Sequence, residues 1–489
     1  MSQSTGTPSQ PPAKIGALDR YFKISERGST VSREVRGGLV SFFAMAYIII
    51  LNPLILGSGT DVDGNQLSIV EIAAVTAFTA GVMTIAFGAI ARYPFAFATG
   101  LGINSLVAVT IAQQVTWAEA MGLVVIEGII IVILAVTGFR TAVFNAVPRE
   151  MKAAIAVGIG LFIAMVGLVD SGFVRRIPDA AGTTVPVGLG IGGSIASWPT
   201  FVFVFGLLLC GVLVARKVRG GLFIGIVVTA VFAVIVEAIA NAGPSFVDGE
   251  PNPSGWSLAV PGIPESLGGI PNLALIGQAD LLGAFTRIGP LAAGLFVFTL
   301  LLANFFDAMG TFTGLGKEAE LMDSEGNLPN MKSALVVEGF GAVVGGLTSS
   351  SSNTVFLESA SGIAEGARTG LANIVTGGLF LLAMFFTPLY EVVPVEAAAP
   401  ALVIVGALMI SQIAQIDLTD FSVALPAFLT IVAMPFTYSI ANGIGIGFIA
   451  WVVMATATGK ARTVHPILWI VAAAFVVYFG IGPITDALA

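Results

Sequence analysis

A chain of 489 residues that is 56% hydrophobic and only 10% charged departs from soluble composition, in which about a quarter of residues carry charge. A single cysteine (Cys210), a single histidine (His465) and a net charge of −8 exclude a disulfide framework, a thiolate cluster and a multi-histidine metal site. Mean hydropathy is +0.96 and apolar runs recur along the whole length, which predicts one polytopic membrane protein rather than a soluble domain with an anchor.

In chain order, residues 1–17 are rich in Ser, Pro and Gln and are expected to be a disordered cytoplasmic tail. They lack the apolar core of a cleavable signal peptide, so the first span serves as its own insertion signal. Apolar runs then predict spans 1–7 near residues 38–56, 69–91, 99–114, 119–138, 150–169, 199–215 and 220–241. A polar stretch over 242–288 is expected to form an outer loop. Spans 8–14 follow near 289–313, 333–348, 353–366, 370–389, 396–412, 420–437 and 439–457, and an apolar stretch over 465–483 either spans or lies along the surface. With the N-terminus inside, 18 of the 21 Lys and Arg residues fall in cytoplasmic loops, leaving Arg175, Arg176 and Arg287 outside. That bias follows the positive-inside rule. It predicts a multi-pass cell-membrane protein with a cytoplasmic N-terminus.

The two series of spans match each other. Spans 3 and 10 are both short and begin in Gly/Ser/Thr-rich sequence, PFAFATGLGINSLV and SSSSNTVFLESASG. Asn104 and Glu358 are 254 residues apart, and Asn52 and Asp307 are 255 apart. Seven spans per unit is an odd number, so the second copy (289–458) is inverted relative to the first (18–241). An inverted repeat with a discontinuous helix in each half is a transporter architecture. The expected fold is therefore an all-α membrane protein of 14 segments in two inverted seven-helix repeats, with half-helices at segments 3 and 10.

Chemistry is expected where polarity interrupts the apolar spans. Glu358 stands at a half-helix start in VFLESASG, and Asp307 follows the apolar run Leu291–Phe306. A carboxyl group within a bilayer costs about 2.5–3.5 kcal/mol on insertion scales, so such acids face the bundle interior and bind ligand or proton by default. The bland alternatives are a helix cap for Glu358 and an interhelical hydrogen bond for Asp307. Asn104 offers amide donors and an acceptor suited to the edge of a base. Phe356 could stack on a planar ligand or simply pack. Glu127, in VVIEGIII, belongs to an unbroken helix, which favours a helix–helix or coupling role. No phosphate-binding loop, dinucleotide fingerprint or voltage-sensor helix is present, so no enzyme is expected.

These residues carry a resemblance. The chain is similar to the AzgA-type hypoxanthine/adenine/guanine permeases of the nucleobase–cation symporter (xanthine/uracil permease) superfamily, through GGLVSFFAMAYIIILNP (37–53), FATGLGINS (97–105), FFDAMGT (305–311), LESASGIAEGARTGL (357–371) and PAFLTIVAMPFTYSIANGI (426–444). The resemblance implies a core and a gate domain, with short strands leading into the half-helices of spans 3 and 10. It makes Asp307, Glu358, Asn104 and Phe356 substrate-binding candidates. Glu358 or Asp307 would carry the coupling proton, with Glu358 favoured. It further implies proton symport of purine bases by movement of core against gate, and a homodimer formed through the gate domains in the lipid bilayer. No cofactor beyond the proton, no metal and no nucleic-acid partner are expected. TSSSSNTVF stands where a Thr-rich stretch is expected, so Asn353 and Thr354 could shift preference among purines. The alternative is an anion transporter or channel of the related sulfate-permease fold, which an acid at a positive helix end disfavours.

Overall fold

The computed structural model describes residues 16–480 except 138–146, 177–186, 248–249, 258, 265 and 323–327. The side chain of Asp307 and those of several neighbours in span 8 also lie outside the described residues, as does most of the Ser/Pro/Gln-rich tail.

Each expected span contains helix, and spans 3 and 10 begin as strands. Span 1 runs Val31–Ser58 with a break at Ala46–Tyr47. Spans 2, 4 and 5 are Ile69–Ile90, Trp117–Thr137 and Arg149–Asp170. Span 3 is a three-residue strand, Phe97–Thr99, followed by the helix Leu101–Leu106, which continues as a π-helical turn over Val107–Ile111. Spans 6 and 7, Trp198–Ala215 and Gly221–Ala240, form a tight pair. Spans 8 and 9 are Gly289–Glu318 and Met331–Leu347. Span 10 is the strand Asn353–Val355 and the short helix Ser359–Ala364. Span 11 starts as Gly370–Ala383 and span 12 as Val395–Met409. Spans 13 and 14, Phe421–Phe436 and Ile440–Ala457, are the second tight pair. Among the described residues, eight helices are long and apolar enough to cross a bilayer alone.

Side-chain oxygens start many of these helices. Thr30 accepts from the backbone of Arg33, Ser68 from Glu71, Ser197 from Thr200, Asp420 from Ser422 and Ser439 from Asn442. Each satisfies a donor that a helix start leaves free. The C-terminal apolar stretch is helical over Pro466–Phe479 and packs Leu468, Val471, Ala472 and Phe475 inward, with the Phe475 ring against Gly445 of span 14. Fourteen residues rise only about 21 Å, less than the roughly 30 Å hydrocarbon core.

The spans sort into two bodies. Spans 2 and 11 pack closely, as do spans 4 and 9, and together with spans 1, 3, 8 and 10 they form the core. Spans 5, 6, 7, 12, 13 and 14 pack on one another as the gate. The exchange of partners follows the inverted repeat, since the second-copy counterparts of spans 2 and 4 are spans 9 and 11. Small residues permit these contacts. A Cβ on Gly370 would collide with the carbonyl oxygen of Gly88, and one on Gly128 would meet the backbone of Val343 at 2.5 Å.

Charged groups tie loops together at the two ends of the molecule. At one end the Arg27 guanidinium donates to the carbonyls of Arg92 (2.5 Å) and Arg368 (3.1 Å), and Glu365 pairs with Arg36 (2.7 Å) and Arg219. At the other, Arg287 pairs with Glu119 at 2.8 Å and lies 3.6 Å from Asp63. Asp61, in the same loop as Asp63, is partly desolvated. Bonds from Asn65, Trp117 and Asp63 outweigh that and hold its carboxyl below the ordinary range.

Candidate functional site at the strand crossing

The polar breaks in spans 3 and 10 meet. Strands Phe97–Thr99 and Asn353–Val355 pair antiparallel, with Phe97 opposite Val355, Ala98 opposite Thr354 and Thr99 opposite Asn353. The ladder is extended by Gly100 N–H to the Ser352 carbonyl (3.0 Å) and Phe356 N–H to the Ala96 carbonyl (2.9 Å). Both strands are fully buried. Unpaired backbone inside a membrane protein is tolerated only where protein satisfies it, and here it is satisfied from outside the ladder as well. Thr84 Oγ1 of span 2 bonds both the N–H and the carbonyl of Phe97, Ser359 Oγ accepts from Ala96 N–H, and Asn373 Nδ2 of span 11 donates to the Phe95 carbonyl at 2.6 Å.

The serine run that precedes the second strand is a turn. Ser349 and Ser351 take left-handed backbone (φ 58° and 69°), and Ser350 N–H bonds the Gly345 carbonyl at the end of span 9. Asn353 directs its amide into this turn, donating to Ser350 Oγ (3.2 Å) and the Ser351 carbonyl (3.0 Å). Asn353 is therefore engaged in holding the turn.

Glu358 occupies the N-cap position of the span-10 helix but makes no side-chain cap bond. Its carboxylate Oε1 accepts instead from Tyr47 Oη at 2.5 Å. Tyr47 lies at the break in span 1 and is 1% exposed, so an apolar wall presents its hydroxyl. Glu358 itself is half-buried. Phe356, two residues earlier, is buried within the main apolar cluster. Across the crossing, Asn104 is fully buried in the span-3 helix; its Oδ1 accepts from Thr99 Oγ1 at 2.6 Å and its Nδ2 has no partner. Asn52 donates to Thr76 Oγ1 (2.7 Å) and to the Ser350 carbonyl (3.1 Å). Asp307 falls within the long helix of span 8, with its side chain outside the described residues.

The repeat pairing shifts in detail. Aligned on their helix starts, Gly100 and Glu358 are the two N-caps, whereas Asn104 is the fourth residue of its helix. Asn104 and Glu358 therefore occupy non-equivalent positions, because the link between strand and helix is longer in span 10.

Sequence reading passed over Tyr47, Asn304, Ser352 and Thr99. Asn304 lies three residues before Asp307 and donates to Glu127 Oε1 (2.8 Å) and to Ser352 Oγ (2.9 Å). The LLANFFD spacing, which puts an amide and an acid on one helix face, was the available signal. Tyr47 carried none, because hydrogen bonding across 311 positions leaves no local pattern. Recesses lie elsewhere among the described residues. An apolar one of about 300 Å³ is lined by Leu425, Leu429, Ile446 and Val453 of spans 13 and 14, and a more polar one of about 380 Å³ by Asp170, Arg175 and Ser257.

The crossing can present a carboxylate, an amide and buried backbone to a polar ligand, and this arrangement has relatives. The family model Xan_ur_permease, a permease family, matches residues 32–446. The guanine/hypoxanthine permease PbuG of Bacillus subtilis is 38% identical over 468 residues, covering 94% of this chain and 99% of its own. The adenine permease AdeQ of Escherichia coli is 34% identical over 462 residues, covering 94% and 95%. Among solved structures, the transmembrane domain of the cyanobacterial bicarbonate transporter BicA superposes with a TM-score of 0.58 at 14% identity, covering 86% of this chain and 97% of its own. That likeness shows the fold, seven plus seven inverted segments. The chain belongs to this permease family, as a multi-pass membrane transporter and not an enzyme.

Proposed function

We propose that this permease imports purine nucleobases (hypoxanthine, adenine and guanine) by proton symport, through an elevator-like movement of core against gate. The observation that carries the reading is Glu358. It stands at the strand crossing with one oxygen fixed by Tyr47, and no other side chain among the described residues bonds it. A purine offers ring N–H donors to such a carboxylate, and the free Nδ2 of Asn104 suits a carbonyl or ring nitrogen. A site with polar groups to satisfy rejects ligands that lack the matching partners. The names of relatives above 30% identity, guanine/hypoxanthine and adenine permeases, support the same substrate class. The fold is shared with anion transporters, but an acid at the half-helix start opposes an anionic substrate.

Asp307, one helical turn beyond Asn304, and Phe356 complete the proposed substrate site, with Glu358 taking the coupling proton. Protonation would remove a charge from the loaded core and favour its reorientation. Residues 18–241 and 289–458 would be the two repeats. The N-terminus would lie in the cytoplasm, and two copies would join through their gates in the cell membrane. Uptake tests the reading. In cells lacking purine permeases, labelled hypoxanthine, adenine and guanine enter and a protonophore abolishes their accumulation, while uracil and sulfate do not compete. Entry of sulfate without competition by purines would overturn it.

A further inference from the structure

A second carboxylate lies in the core, outside the proposed substrate contacts. Glu127, midway along span 4, is 0% exposed. Its Oε1 accepts from Asn304 Nδ2 at 2.8 Å and lies 3.5 Å from Ser352 Oγ, while Asn304 Nδ2 also bonds Ser352 Oγ at 2.9 Å. The remaining oxygens of the network are orphans: Glu127 Oε2 and Asn304 Oδ1 are both buried acceptors without a donor. No Lys or Arg among the described residues bonds Glu127.

The charged groups on the elements packed around Glu127 are further acids and cations that sit far along the spans. Glu338 of span 9 is also fully buried and lies within electrostatic reach. Lys332, near the start of span 9, is exposed. Arg287, in the short helix beside span 4, is committed to Glu119 at the outer end. On span 8 the acid Asp307 follows Asn304 by three residues, and in span 10 the strand is uncharged as far as Glu358. A fully buried carboxylate oxygen that no donor reaches is costly to leave bare. The missing hydrogen is one that a proton on Oε2 supplies.

We propose that Glu127 is a second proton-binding site of the transport cycle, which takes its proton on Oε2. Asn304 and Ser352 carry its charge state to span 8 and to the strand crossing. The step is a single protonation: a proton from the outer solution forms the O–H bond, the carboxylate becomes neutral, and the same bond breaks on release inside. The link to the site is direct, because the Ser352 carbonyl accepts from Gly100 N–H in the ladder that joins the half-helices. This proposal rests on the proton-coupled reading above.

The test compares wild type with Glu127→Gln in membrane vesicles, measuring purine exchange at equal pH and accumulation under an imposed gradient of about one pH unit. Glutamine keeps the shape and an acceptor for Asn304 but cannot titrate. Exchange is expected to persist, while the accumulation ratio falls about tenfold, the worth of one proton over one pH unit, and its pH dependence flattens. Wild-type accumulation and pH profile in the variant would overturn the proposal, since a purely structural Glu127 leaves both unchanged. If Glu127→Gln does not reach the membrane, Glu127→Asp decides: a displaced pH midpoint is expected, and an unmoved one refutes. Wild-type uptake indifferent to a protonophore would instead refute the underlying symport reading.

Discussion

Glu358 and Tyr47 form the contact on which the proposed site rests. Hydrogen bonds to charged groups contribute about 1.5–3 kcal/mol, so Glu358→Gln is expected to weaken purine affinity by roughly 10–100-fold and to abolish concentrative uptake while the protein still reaches the membrane. Uptake with parallel surface labelling checks this, and normal accumulation removes Glu358 from coupling. Asp307→Asn is expected to raise the half-saturation concentration; unchanged affinity would reassign that acid to structure. The sequence announced both acids because a carboxyl group in apolar sequence is costly enough to need a reason. It could not announce Tyr47, whose partner is 311 residues away. Nor could it show that Asn353 turns into the serine run or that Asn104 and Glu358 differ in position relative to their helix starts, since both depend on how the backbone closes the strand pair.

At the scale of elements, the spans were legible because each must satisfy its own backbone and present apolar surface. The break in span 1 was not, because Ala46 and Tyr47 sit inside an unbroken apolar run. The contacts between spans were legible only as an abundance of glycine. Their positions emerge from the pairing of span 2 with span 11, where Gly88 and Gly370 bring two backbones together. A side chain at this crossing meets a carbonyl oxygen and not a flexible side-chain end. Gly370→Val is therefore expected to exceed the usual 1–3 kcal/mol overpacking cost and to leave little mature protein in the membrane, as detergent thermal stability would show. An exposed control, Gly378→Ala, with open space around its Cβ position, is expected to behave as wild type.

At the scale of the whole molecule, core and gate share one apolar cluster, and a charged group joins them as well. Glu365, at the end of the span-10 helix, pairs with Arg36 of its own body and with Arg219 from the turn between spans 6 and 7 of the gate. Arg219 is 61% exposed at the side chain, and ion pairs at such surfaces contribute up to about 1 kcal/mol. Under the proposed movement of core against gate, Arg219→Ala is thus expected to change the ratio of the two end states by a factor of up to about five. Half-saturation measured from the two membrane faces reads this directly, and an unaltered ratio would show the pair to be idle.

The strand pair has a consequence for how the two repeats came to share one chain. Each repeat contributes one three-residue strand to the crossing, and neither of these two strands has a ladder partner within its own half. Expressed alone, residues 1–260 or 270–489 would leave that strand bare in lipid, where open backbone is untenable. Co-expressed as separate polypeptides cut in the outer loop, they would have every reason to find each other. The crossing is in this sense an assembly joint as much as a proposed binding site. An ancestral half with the same strand would have needed a second, oppositely inserted copy before it could transport anything.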